Sequence, residues 1–298
     1  MADGRALLAK AQKEEQGASG GFGWFSNKQD KIEQAIETYT QAANAFRASN
    51  QGNEAGAAFE KAAALSKSIN EPNDQANYLS EAFKAYRLTS PPDAARVMRQ
   101  ALAHYSLTNI RRAATNKQTL AEMLEQDSNT KLDAIKEYDE AGDWFRNDNA
   151  EALANKCYIK AADLAAETGN YFKAINRYEE VAKASVNNNL MKWSVKDYLF
   201  KASLCQLASM DMISAKRAIL GEYPALDNAF ANGSMEGLFL ANLLQCVQDG
   251  EREAFRNNVV QFMARFPLDN WKQQILHKTE EQIEAGAGGD VEGDDGLL

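Results

Sequence analysis

The chain has 298 residues, 45% hydrophobic and 25% charged, ample for a sizeable core and ordinary for a globular protein. Its formal net charge of −9 argues against nucleic acid as a partner, and no apolar run approaches the roughly 18 residues needed to span a bilayer. The N-terminus lacks a basic-plus-apolar signal segment, and the widely spaced Cys157, Cys205 and Cys246 read as buried reduced thiols of a cytosolic protein.

In chain order, the first predicted element is a short helix over about 3–16. A loop follows, Gly17-Ala18-Ser19-Gly20-Gly21-Phe22-Gly23-Trp24-Phe25-Ser26, before a longer helix over about 30–48. Glycines give this loop mobility, yet it carries three large aromatics in four positions. Two readings stand. The rings fold back on the first hairpin, or they form an apolar probe for a membrane or partner, with Lys28 and Lys31 beside it.

From residue 35 a pattern recurs about every twenty residues: Ala, three residues, an aromatic, two residues, then a small pair. It appears at Ala35/Tyr39/Ala42/Ala43, Ala55/Phe59/Ala62/Ala63, Ala134/Tyr138/Ala141/Gly142, Ala154/Tyr158/Ala161/Ala162 and Ala174/Tyr178/Val181/Ala182, with a weaker copy at Ala94/Met98/Ala101. Offsets of 0, 4, 7 and 8 share one helix face, because each residue turns about 100°. The aromatic fills the gap between helices, and the small residues let backbones approach. A single such helix cannot bury its apolar face, so neighbours must stack. Two beats make a hairpin of about forty residues, a little longer than the tetratricopeptide unit of roughly 34.

Breakers fall between beats at Asn50-Gln51-Gly52-Asn53, Asn70-Glu71-Pro72-Asn73, Ser90-Pro91-Pro92-Asp93, Asn147-Asp148-Asn149, Thr168-Gly169-Asn170 and Asn187-Asn188-Asn189. After about residue 209 the beat fades, with breaks at Gly221-Glu222-Tyr223-Pro224 and Asn232-Gly233-Ser234. Helices are then predicted over about 235–248, 251–265 and 268–285. The fold class is therefore all-α: a tetratricopeptide-like right-handed solenoid of antiparallel helical hairpins closed by a C-terminal helical bundle. The division is an N-terminal helix and loop over 1–29, solenoid over 30–209, bundle over 210–285 and flexible acidic tail over 286–298.

The repeat also spaces charge. Lys117, Lys156 and Lys196 are 39 and 40 residues apart, one hairpin each, so stacking should align them as a stripe. Lys160 and Lys192 lie one turn from Lys156 and Lys196, and Arg111 and Arg112 extend the series. Lys156 and Lys160 occupy offsets opposite the packed face and should be exposed. An ordinary solvated helix face is the plain alternative; a regular stripe on an acidic protein favours docking of a long acidic partner. Glu284, Asp290, Glu292, Asp294 and Asp295 account for five negative charges in a terminal stretch without Lys or Arg. That tail ends in Leu297 and Leu298 and is either a frayed end or an acidic segment with an apolar plug.

Catalytic chemistry is not visible. His104 and His277 have no Cys or His at metal-ligand spacing, and no phosphate loop, nucleophile elbow or HExxH motif occurs. Neither an enzyme, a metal nor a cofactor is expected.

Ala154-Asn-Lys-Cys-Tyr-Ile-Lys-Ala-Ala-Asp163, Trp193-Ser-Val-Lys-Asp-Tyr-Leu-Phe-Lys-Ala-Ser-Leu-Cys-Gln-Leu207, Leu268-Asp269-Asn270-Trp271 and the acidic Leu-Leu ending resemble the soluble NSF attachment proteins of the alpha-SNAP family, in particular a fungal or other lower-eukaryote member. The resemblance covers essentially the whole chain. It implies a cytoplasmic, peripherally membrane-associated adaptor that binds the SNARE four-helix bundle and recruits the hexameric NSF-type ATPase that unwinds it. It further implies SNARE contacts at Lys156, Lys160 and Lys196, to which the stripe adds Lys192, with an apolar contact at Leu190 and Trp193, and a preceding basic group at Arg111, Arg112 and Lys117. By the same resemblance Phe22, Trp24 and Phe25 touch the membrane, while Asp294, Asp295, Leu297 and Leu298 engage the ATPase. Three departures accompany it. Gly296 separates the acids from the leucines after an inserted glycine-rich stretch, Met235 replaces an arginine of animal members, and the loop aromatics are spaced rather than adjacent. A generic tetratricopeptide-like module binding the peptide tail of a chaperone or other partner is the alternative function. It would favour a compact basic clamp over a long stripe.

Overall fold

The small residues of the repeat lie where helices touch. In the computed structural model, which describes residues 3–19, 25–231 and 233–287, every beat alanine and every beat aromatic is buried. The described residues are helical throughout, with no strand. They divide into two compact units, 1–150 and 151–298, so the unit boundary falls within the repeated region.

The first unit contains α1 (Gly4–Ser19), α2 (Phe25–Ala48), α3 (Gly52–Ser68), α4 (Pro72–Tyr86), α5 (Pro91–Thr108), α6 (Ile110–Leu124) and α7 (Lys131–Asn147). Within the unit, consecutive helices from α1 to α7 pack on one another, as expected of stacked hairpins. α1 is longer than the sequence suggests: it continues through Gly17 because Ala18 is buried, leaving only a short segment before α2. Phe22 and Trp24 lie outside the described residues, and Phe25 starts α2.

Four of the expected breakers end helices by one repeated device. Asn50, Asn70 and Asn149 all have φ between 56° and 62°, the left-handed region, and Gly169 has φ 81°. The amide after each donates back across the helix end, from Gln51 to Phe46 O (2.9 Å), Glu71 to Ser66 O (2.9 Å), Ala150 to Phe145 O (2.8 Å) and Asn170 to Ala165 O (2.8 Å). These bonds satisfy carbonyls that the helix leaves open. Asn tolerates the left-handed conformation better than other side-chain-bearing residues, which explains its recurrence.

The second unit contains α8 (Glu151–Glu167), α9 (Tyr171–Ser185), α10 (Val195–Ala208), α11 (Met212–Arg217), α12 (Tyr223–Leu226), α13 (Met235–Gln248), α14 (Arg252–Met263) and α15 (Asn270–Ala287). α10 is its centre: it packs on α9, α11, α13 and α15 and is buried on nearly every side, which fits its apolar composition all round. One predicted break is corrected. Gly221-Glu222-Tyr223-Pro224 does not interrupt the chain; α11 passes through a π turn over 218–222 directly into α12. Proline has no N–H and disrupts an ordinary α-helical ladder, and the wider turn accommodates it near the start of α12. No described helix is long and apolar enough to cross a membrane.

Candidate functional site

The first-unit cations are placed on α6. Asn109 caps this helix by accepting the Arg112 amide (2.9 Å), which puts Arg111 and Arg112 in its exposed first turn. Arg111 pairs with Asp148, and the Arg112 guanidinium lies 4.1 Å from the centre of the Tyr105 ring. Lys117 departs from the expected surface stripe. It is only 8% exposed, pairs with Glu137 (2.8 Å) and Glu140 (2.6 Å), and sits 4.7 Å from the Trp144 ring centre. Burial disfavours its charge, but the hydrogen bonds to Glu137 and Glu140 outweigh that and hold its pKa above the ordinary lysine value. Spacing placed Lys117 on the right helix; only the neighbouring acids on α7 decide that it faces inward.

The second unit gathers the remaining basic and apolar candidates. Ala154, Tyr158, Ala161 and Ala162 face inward from α8, so Lys156 and Lys160 project outward, as the offsets predict. Among the described residues Lys156 has no carboxylate within ion-pair distance. Beside it, the Asn155 amide reaches Ser185 Oγ (3.5 Å) and Met191 Sδ (3.4 Å), joining α8 to the connection between α9 and α10. That connection carries the apolar pair: Leu190 is 91% exposed and Trp193 81%. Both are presented by local turns, since the Leu190 amide donates to Asn188 Oδ1 (2.9 Å) and residues 192–194 form a single 3-10 turn. Lys192 Nζ lies 5.4 Å from the Trp193 ring centre, within cation–π range. Lys196 follows in the first turn of α10 and pairs with Glu236 on α13.

Leu190 and Trp193 are exposed large apolar side chains on the same connection, which also carries Lys192 and leads into Lys196 at the start of α10. A family model described as "Soluble NSF attachment protein, SNAP" matches residues 2–284. The chain belongs to the soluble NSF attachment protein family. Among its relatives, a probable vesicular-fusion protein sec17 homolog of Neurospora crassa is 42% identical over 95% of this chain and 97% of its own length. The alpha-soluble NSF attachment protein of Saccharomyces cerevisiae is 36% identical (95% and 98%), and that of Homo sapiens is 30% identical (95% and 95%).

Within this soluble NSF attachment protein the remaining candidates fall outside the described residues: Phe22 and Trp24 in the N-terminal loop, and Asp294, Asp295, Leu297 and Leu298 in the tail. Cys157, Cys205 and Cys246 are buried thiols outside any disulfide, and burial pushes the Cys205 thiol up. Among the described residues no group of three or more His, Cys, Asp or Glu is arranged to hold a metal. Sequence reasoning missed two features. Glu236, the partner of Lys196, is forty residues away with no periodic signal to find it. The aromatic wall of Phe200, Phe262 and Phe266 beside Trp193 draws on three separate elements.

Proposed function

We propose that this chain is a non-catalytic adaptor in vesicular fusion. It binds assembled SNARE complexes through the outward face of its second unit and recruits and stimulates an NSF-type hexameric ATPase to take them apart. The observation that carries the reading is the exposure of Leu190 and Trp193, with Lys192 over the Trp193 ring, Lys196 beside Trp193 and Lys156 and Lys160 outward on α8 of the same unit, in a member of the soluble NSF attachment protein family. Large apolar side chains at such exposure are retained where a partner covers them. The flanking lysines select an acidic partner and steer its approach. Phe22, Trp24 and Phe25 hold the complex against the membrane, and the acidic tail with its Leu297-Leu298 end presents to the ATPase.

The test is reconstitution. ATP-dependent disassembly of purified SNARE complex by the ATPase is measured with and without this protein; strong dependence on its addition is expected, and equal rates reject the proposal.

A further inference from the structure

Next to Trp193 the second unit carries a trough of about 230 Å³, walled by Trp193, Phe200, Phe262, Phe266 and Leu268. Its floor is rigid. Phe200, Phe239 and Phe262 stack with centroids 3.9 to 6.2 Å apart, and Phe266 leans on Phe262 at 5.2 Å. A cavity of about 150 Å³ holds a benzene ring, so the trough has room for one large apolar side chain.

Both cations on its rim are held by this chain's own acids. Lys272 bonds Asp197 (2.6 Å) and Asp269 (2.9 Å), while Lys196 pairs with Glu236. The two rim lysines are not equivalent. The Lys272 side chain is 13% exposed and anchored twice; that of Lys196 is 49% exposed and paired with Glu236, so it is the one a ligand can take. Glu236, in turn, tolerates losing it. It lies in the first turn of α13, capped by Ser234, where the helix dipole stabilises a negative charge without a cation.

We propose that Glu236 is an internal competitor for the docking site. An acidic helix of the bound bundle displaces it from Lys196 with a carboxylate, and an apolar side chain one turn away on that helix enters the aromatic trough. The spacing suits the pair, because residues three or four apart share a helix face, and the trough is lined by both Lys196 and Trp193 of the proposed face. This inference rests on the adaptor reading. It adds that affinity is set below its maximum by an intramolecular ion pair, so that an acid without a neighbouring apolar residue binds poorly.

Binding of purified SNARE complex to the full chain, measured by titration at low and moderate salt, tests it. Glu236→Gln should tighten binding about two- to fivefold at low salt, the worth of a partly exposed pair, with a thermal unfolding scan confirming the fold. In the Lys196→Gln background the gain should vanish, and Phe266→Ala should weaken binding with Lys196 intact. Unchanged or weaker binding by Glu236→Gln, or a gain that persists without Lys196, overturns the competitor. No binding by the unaltered chain instead rejects the adaptor reading, and this inference with it.

Discussion

Asp163 on α8 accepts the Tyr178 hydroxyl of α9 at 2.5 Å, and the same carboxylate oxygen accepts from Lys201 of α10 at 2.7 Å. The Asp163 carbonyl also accepts the Trp271 indole N–H of α15 at 3.1 Å, so one residue ties four helices. Burial, then the charge of Asp163, pushes the Tyr178 hydroxyl far above the ordinary tyrosine range, which keeps it a donor. Three of the stretches that carry the family resemblance supply Asp163, Lys201 and Trp271. Their specificity therefore reflects assembly of the second unit as much as partner contact. Asp163→Ala strands Lys201, whose side chain is only 12% exposed, and should cost about 2–4 kcal/mol. Urea denaturation reads it, and a cost below about 0.5 kcal/mol, the range of ordinary surface changes, would refute the hub.

Lys117 should behave as a structural cation. Lys117→Met leaves the Glu137 carboxylate, 11% exposed, without its lysine and should destabilise the chain by about 2–3 kcal/mol. The effect has a pH signature. Because the folded pKa of Lys117 is raised, its contribution is complete below the unfolded value of about 10.4 and fades as pH rises through the folded value. The stability gap between wild type and variant should thus be constant from pH 7 to about 10 and shrink above it. A gap that stays unchanged as pH rises above about 10 would mean the loss is one of packing alone.

Gly56 shows tertiary packing overruling helix propensity. It lies inside α3, where alanine is the better helix former by about 1 kcal/mol. Yet an added Cβ would come within 2.5 Å of the Tyr86 ring, whose hydroxyl donates to Glu60 one turn along α3 at 2.9 Å. Gly56→Ala should therefore destabilise by about 1–3 kcal/mol. A rise in melting temperature would show that Tyr86 moves aside freely.

Lys156 and Lys160 should govern docking. Replacing both by Glu is expected to reduce SNARE-complex affinity on the order of tenfold, with a loss that shrinks as salt increases. Stability should barely change, because both side chains point outward from α8. Equal binding at moderate salt would remove this face from the proposal.

The loop aromatics make a prediction specific to membranes. Phe22, Trp24 and Phe25 changed together to Ser should slow disassembly of liposome-anchored SNARE complexes several-fold and leave soluble complexes unaffected, since apolar burial in the bilayer supplies the extra binding. Equal activity on liposomes would indicate rings packed against the protein.

Helix identity, many helix ends and the buried face were legible in the sequence, because these are set largely by local rules; the end of α1 and the passage through residues 221–224 were not. A spacing of 0, 4, 7 and 8 puts Ala154, Tyr158, Ala161 and Ala162 on one face whatever they pack against, and asparagines such as Asn50 and Asn70 can end a helix by entering the left-handed region. That same periodicity put Lys156 and Lys160 on the outside. The fate of each charge was not local. Lys117 is enclosed by Glu137 and Glu140, Lys196 is shared with Glu236, and Lys201 is held by Asp163, all across helix contacts that no single-helix rule contains. The sequence by itself determined a repeating helical scaffold and the positions where cations occur. Only the tertiary structure decided which cations hold helices together and which stay exposed, because an ion pair forms by distance in space and not by spacing along the chain.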